Sequence, residues 1–212
     1  MEQQELQFDF KARYYRLGKL DTTTRQLWFV VHGYGQLAQF FIQKFKVLEA
    51  AGICVVAPEG LSRFYLDGNG GRVGATWMTK ENRLMDIENY INYLNEVYKK
   101  ETARTSSPPS ITLFGFSQGA ATVTRWLLDG KIKANRLVLW AGLFPPDIDF
   151  EKGSKILETM EVVEVYGKKD QFLTEESVQQ MKELNKKLNL QPSIIEFEGT
   201  HELNADVLLK LI

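Results

Sequence analysis

Gly115-Phe116-Ser117-Gln118-Gly119 sets a serine between two glycines where an apolar run, Ile111 to Phe116, meets a helix-period segment, Gln118 to Asp129. Such a serine suits a sharp strand-to-helix turn that exposes its hydroxyl, with glycines allowing close backbone approach. The bare G-x-S-x-G pattern is weak, because a chain of this length meets it by chance about once in fifteen. The strand before it and the helix after it strengthen the reading, since a helix N-terminus also offers free N–H groups to an oxyanion.

A hydroxyl at its ordinary pKa needs a base to act as a nucleophile. The chain has 2 histidines, His32 in "VVHGYG" and His201 in "FEGTHEL", each directly after a predicted strand. Triads of the strand-turn-helix serine type run Ser, acid, His along the chain. That order selects His201 as base and leaves His32 to hold the loop "HGYG". The acid then lies between Ser117 and His201. Asp170 in "YGKKDQF" follows a strand and is favoured over Asp147 and Asp149 in "FPPDID", while Asp129 reads as a surface residue at a helix end. Asp170 would hold His201 in the tautomer that accepts the Ser117 proton. Two N–H groups complete the set: that of Gln118, after the nucleophile, and one from "HGYG".

The elements that must position these groups are legible as an alternation. Apolar runs at Leu27–Val31, Ile53–Ala57, Ile111–Phe116, "RLVLWAG", "VVEVYG" and "SIIEFEG" alternate with helical segments at Gln36–Ala51, Glu81–Lys100, Gln118–Asp129 and Glu175–Leu188, and a short helix closes the chain. Alternating strand and helix predicts an α/β fold with a mostly parallel sheet of about seven strands and helices on both faces. Leu6, Phe8, Phe10, Ala12 and Tyr14 alternate with polar residues and predict an opening edge strand. Glu59–Trp77 and Leu143–Lys155 read as long loops after strands, where such folds build sites. "ARTSSPPS", Ala103 to Ser110, reads as a connection. Glu175 and Glu176 after Thr174 read as the first turn of a capped helix.

At 212 residues the chain is expected to be one domain, residues 1–212. The balance of 26 basic and 27 acidic residues, net −1, gives no field to draw it to nucleic acid. Cys54 lies in "ICVVAP" and reads as a buried small hydrophobe. The acidic, polar start and the lack of a long apolar run predict a cytoplasmic location and no integral membrane segment. No zinc-type His/Cys cluster and no phosphate-loop pattern is present, so neither metal nor cofactor is expected; "DGNGGRVG" carries Val73 where a third glycine would be needed. Its glycines suggest a mobile lid, in which Arg63 or Arg72 either meets a charged part of a substrate or is simply solvated. Phe64, Tyr65, Trp77, Met78, Leu143, Phe144 and Phe172 fall in loops expected to ring Ser117 and form an apolar pocket. The aromatic helix Gln36–Ala51, with Lys44 and Lys46, is expected to pack on the sheet rather than lie on a membrane surface.

Together "VVHGYGQ", "GFSQGA", "YGKKD" and "GTH", in this order, resemble the α/β-hydrolase fold, and within it the phospholipase/carboxylesterase family that includes the acyl-protein thioesterases. The similarity runs from about residue 27 to about residue 205. It implies Ser117 as nucleophile, Asp170 as acid, His201 as base, and the N–H groups of Tyr34 and Gln118 as the oxyanion hole. It also implies Trp77 against the acyl group, beside the pocket residues Phe64, Tyr65, Leu143 and Phe172 expected from the loops. The chain departs from the family where Gln36 replaces the usual acidic residue, where Ala120 replaces a glycine, and where "RFYLDGNGGRVGA" replaces a shorter, Pro-rich loop. Reaction type carries over better than substrate. The expectation is a monomeric or homodimeric serine hydrolase acting on a small ester or thioester. An acyltransferase or perhydrolase with the same triad, and a low-turnover binding protein, remain as alternatives.

Overall fold

The computed structural model describes residues 1–105 and 109–212. Part of the connection Ala103 to Ser110, residues Ser106, Ser107 and Pro108, lies outside the described residues. The strands are β1 (Tyr14–Leu17), β2 (Gln26–Val31), β3 (Ile53–Pro58), β4 (Ser62–Tyr65), β5 (Val73–Thr76), β6 (Ser110–Phe116), β7 (Arg136–Trp140), β8 (Glu161–Gly167) and β9 (Ser193–Phe197). The helices are α1 (Ala38–Phe41), α2 (Arg83–Thr102), α3 (Gln118–Leu128), α4 (Phe150–Leu157), α5 (Glu175–Lys187) and α6 (Ala205–Leu209), with a 3-10 helix at Ile42–Ala51.

Seven strands form one sheet in the order β1-β3-β2-β6-β7-β8-β9. All neighbours are parallel except β1, which runs antiparallel to β3 at the edge. The central strands are apolar throughout because both faces of the sheet are covered. On one face Phe29, Leu113 and Leu139 pack with Tyr90 and Leu94 of α2 and with Val123 and Trp126 of α3. On the other, Trp28, Phe114 and Trp140 pack with Phe41, Phe45 and Leu48 and with Val207 and Leu208 of α6. Each such fully buried large side chain contributes about 1.5–3 kcal/mol. Among the described residues no helix is long and apolar enough to cross a membrane.

Three expectations about local structure need correction. The opening strand does not run from Leu6; residues 1–13 are irregular, Leu6, Phe8 and Phe10 are exposed, and only Tyr14–Leu17 pair. The helix expected over Gln36–Ala51 is one α-turn followed by 3-10 geometry, closed by Gly52 at φ 72°. The two long loops contain regular structure. Glu59–Trp77 holds the β4–β5 hairpin, and Leu143–Lys155 runs into α4, whose N-terminus Asp149 caps by accepting from Lys152 N–H at 2.9 Å. Thr174 caps α5 as expected, accepting from Ser177 N–H at 3.1 Å.

Candidate active site

Ser117 sits between β6 and α3 with φ 54° and ψ −118°, a backbone state that costs a non-glycine residue of order 1–3 kcal/mol. The turn is held by Ser117 N–H donating to Trp140 O at 2.9 Å and Ala120 N–H donating to Ser117 O at 2.9 Å. Its glycines are required by contact. A Cβ on Gly115 would meet Gly119 O at 2.3 Å, and one on Gly119 would meet Val31 O at 2.2 Å. The methyl of Ala120 is accommodated because Gly142 across from it has no side chain; a Cβ there would fall 2.6 Å from it.

The loops after β8 and β9 bring Asp170 and His201 together. Lys168 N–H donates to Phe197 O and Lys169 N–H to Gly199 O, each at 2.9 Å. This approach needs a glycine at 167, where a Cβ would lie 2.3 Å from Gly199 O. Asp170 is buried and its Oδ2 lies 2.7 Å from His201 Nδ1, while its Oδ1 accepts from Phe172 N–H at 2.9 Å. The His201 ring is flanked by Phe116 at 4.9 Å and Phe172 at 4.7 Å between centroids. Phe116 is the residue before Ser117, so His201 stands beside the serine turn. Neither Ser117 Oγ nor His201 Nε2 is engaged by another described residue.

The other carboxylates are committed elsewhere. Asp147 bridges Arg83 of α2 at 2.5 Å and Arg125 of α3 at 2.6 Å. Burial raises its pKa, yet the two guanidiniums, Arg125 first, hold it below the ordinary carboxylate value. Asp149 caps α4.

His32 is fully buried and serves the loop. Its Nδ1–H donates to Gly33 O at 2.8 Å and its Nε2 accepts from Gly60 N–H at 3.0 Å, an arrangement that needs the neutral ring. Burial drives its pKa down to about 4, against the opposing pull of the Gly33 carbonyl and Glu59. Gln36, standing where an acid is usual, accepts from Gly33 N–H at 2.9 Å through its side chain, a role a carboxylate would also fill. The Gly33–Gln36 turn leaves Tyr34 N–H without a partner among the described residues. Gln118 N–H, at the first position of α3, has none within the helix.

The β4–β5 hairpin is docked on this loop through Ala75. Gly35 N–H donates to Ala75 O at 2.9 Å and Ala75 N–H to Gln36 O at 3.1 Å. A Cβ on Gly74 would lie 2.4 Å from Gly35 O, so the contact requires glycine.

A cleft of about 630 Å³ opens beside His201 and Phe116, walled by Leu37, Phe40 and Lys44 on one side and Leu66, Arg72 and Val73 of the hairpin on the other. A smaller cavity of about 200 Å³ is lined by Leu143, Phe172, Met181 and Asp170 among others. The structure therefore brings Leu143 and Phe172 to a cavity and leaves Phe64 tilted against Tyr34 at 5.1 Å between ring centroids, with Tyr65 exposed. Trp77 is 2 % exposed and lines neither cavity. Its indole N–H donates to His32 O at 2.9 Å, and its ring lies on that of His32 at 5.0 Å. Phe144 is likewise buried. Arg72 reaches the cleft, whereas Arg63 turns to Glu59 at 3.8 Å. Leu37, Phe40 and Leu66 went unidentified in the sequence, where their apolar character reads as core. Among the described residues no group of three or more His, Cys, Asp or Glu is placed to hold a metal ion.

A model of the phospholipase/carboxylesterase family matches residues 19–211. No curated protein matches the sequence significantly. Solved structures match over nearly the whole chain. Acyl-protein thioesterase 2 of Zea mays superposes with a TM-score of 0.71 at 15% identity, over 95% of this chain and 96% of that one. Esterase PE8 does so with a TM-score of 0.70 at 20% identity, again over 95% and 96%. An uncharacterized protein from Bacillus cereus ATCC 10987 matches with a TM-score of 0.65 at 17% identity, over 99% of this chain but only 62% of its own length. At these identities the superpositions establish the shared α/β-hydrolase fold.

Proposed function

The chain belongs to the phospholipase/carboxylesterase family, and on that premise we propose that it is a serine hydrolase that cleaves a small or medium carboxylic ester or thioester through Ser117, His201 and Asp170. The observation that carries this reading is the 2.7 Å contact of His201 Nδ1 with the buried Asp170 carboxylate, beside a serine held at positive φ.

Asp170 accepts a hydrogen bond from Nδ1–H and so leaves Nε2 of His201 as the basic nitrogen. Nε2 takes the Ser117 proton as Oγ attacks the substrate carbonyl carbon. The carbonyl oxygen becomes an oxyanion, which the N–H groups of Tyr34 and Gln118 receive together with the positive end of α3. Collapse of this intermediate breaks the bond to the alcohol or thiol, which departs with the proton from His201 and leaves Ser117 acylated. Water, deprotonated by His201, attacks the acyl-enzyme and releases the acid. The cleft beside His201, with Leu37, Phe40 and Leu66 in its wall, and the smaller cavity at Leu143 and Phe172 suit the acyl chain and the leaving group.

The decisive measurement is labelling by a fluorophosphonate together with turnover of p-nitrophenyl butyrate. Wild type is expected to label and turn over, and Ser117→Ala to do neither. Equal labelling or turnover in Ser117→Ala would refute the assignment.

A further inference from the structure

The Gln118 side chain makes connections that the reaction above does not use. Its Nε2 donates to Met78 O and to Thr76 Oγ1, each at 3.0 Å, and its Oε1 accepts from Trp77 N–H at 3.2 Å. One amide thus grips three successive residues at the end of β5. That segment in turn holds the other donor loop. Trp77 supports His32 O from its indole at 2.9 Å, and Ala75 pairs with Gly35 and Gln36 around Tyr34. Close glycine contacts weld the assembly. A Cβ on Gly60 would lie 2.5 Å from Thr76 O, and one on Gly33 would lie 3.2 Å from Ser117 Cβ. The far end of the same hairpin carries Leu66, Arg72 and Val73 to the wall of the cleft.

We infer that the Gln118 side chain is a positioning residue: by clamping Thr76–Met78 it fixes the spacing between the Gln118 and Tyr34 N–H groups and ties the oxyanion hole to the hairpin that walls the substrate cleft. The inference rests on the serine-hydrolase reading. Two N–H donors on separate elements, one on α3 and one on the loop after β2, have no direct bond to each other. Their separation is set by the β2–β6 pairing that ends at Val31 and Gly115 and, beyond it, by the end of β5, which bonds to both. The amide is suited to the task because its NH2 donates to the Met78 carbonyl while its oxygen accepts from Trp77 N–H, which an ionised carboxylate, an acceptor only, cannot do. An oxyanion hole stabilises only the tetrahedral state, so a shift in its geometry acts on kcat rather than on ground-state binding.

The test compares Gln118→Met, which keeps side-chain length but no hydrogen bonds, with Gln118→Glu. Removing one oxyanion donor outright typically costs 10²–10³ in kcat, and displacing one should cost less. Gln118→Met is expected to lower kcat for p-nitrophenyl butyrate roughly 10- to 100-fold with KM changed less than about threefold. Affinity for a trifluoromethyl ketone, which forms a tetrahedral adduct on Ser117, should fall by the same factor as kcat/KM. Gln118→Glu adds a readout that does not depend on Gln118→Met folding. Its carboxylate repels Met78 O, whereas its protonated form donates to it as the amide does. Its activity relative to wild type should therefore rise as the pH is lowered from 8 to 5. Unchanged kcat in Gln118→Met would overturn the inference, as would a loss carried by KM or a flat activity ratio for Gln118→Glu. Full turnover by Ser117→Ala would instead overturn the underlying reading.

Discussion

His201 Nδ1 and Asp170 Oδ2 lie 2.7 Å apart, although 31 positions separate the two residues in the chain. The pair exists because the loops after β8 and β9 are bonded to each other at Lys168–Phe197 and Lys169–Gly199, with Gly167 leaving room. Asp170→Asn should keep the Phe172 N–H bond available while presenting an amide to Nδ1, which favours the wrong tautomer. The expected outcome is a loss of roughly 10³- to 10⁴-fold in kcat with little change in the thermal midpoint. Steady-state kinetics beside a melting curve check it, and a drop confined to stability would count against the acid role.

Glu164 on β8 is buried, and desolvation pushes its carboxyl up to about 7, opposed only by the Asn185 amide that donates to Oε2 at 3.1 Å. Glu164 Oε1 and Asn185 Oδ1 have no partner among the described residues. Both are acceptors, and protonation of Glu164 turns one into a donor. Because the folded pKa lies above the unfolded value of 4.5, its contribution is complete below about pH 4.5 and is lost as pH rises through 7. Glu164→Gln removes that loss, so above pH 7 it should be more stable than wild type by on the order of 3 kcal/mol. Urea unfolding at pH 5 and pH 8 measures it; an unchanged difference between the two proteins across this range would reject the assignment.

His32 works in the opposite sense. Its folded pKa of about 4 lies below the unfolded value of 6.5, so its stability contribution is present above about pH 6.5 and lost as pH falls through 4. The size is again on the order of 3 kcal/mol. In the Glu164→Gln background the opposing Glu164 effect is gone, and stability should climb steadily from pH 4 to pH 6.5. A denaturation midpoint that stays flat over this interval would show that His32 is protonated or solvated in the folded protein.

Leu66 leans from the hairpin over the 630 Å³ cleft. Leu66→Trp should shorten the space and lower kcat/KM for long acyl chains about tenfold or more, with short chains little affected. A series of acyl lengths on esters and thioesters reads both cleft depth and leaving-group preference. If long and short chains fall equally, the acyl group lies elsewhere, and the cavity at Leu143 and Phe172 becomes the place to alter.

Gly119→Ala forces a methyl to within 2.2 Å of Val31 O, backbone that has nowhere to move inside the central sheet. It should destabilise the protein by at least about 1–3 kcal/mol and leave the serine turn unformed. Thermal unfolding and fluorophosphonate labelling should fail together, and retention of both would show that the turn tolerates a side chain.

What the sequence by itself determined is what short-range chemistry encodes. The alternation of apolar runs with helical periods set the α/β class, because each element's period is written in neighbouring residues. A serine between glycines at a strand end, a late histidine and an intervening aspartate marked Ser117, His201 and Asp170, since chain order survives without coordinates. Tertiary structure decided everything that depends on a partner far away in the chain. The alternation from Leu6 to Phe10 is as strand-like as that of Tyr14–Leu17, yet only the latter meets the edge of β3. Asp147 and Asp149 were plausible acids until their hydrogen bonds went to Arg83, Arg125 and the start of α4. The loop Glu59–Trp77 holds a hairpin whose second strand seats on the loop after β2, Gly74 packing on Gly35 and Ala75 bridging Gln36. Trp77, apolar and beside a predicted site, is turned inward to His32. In each case the residue's own character is compatible with several environments, and the packing of distant backbone selects one.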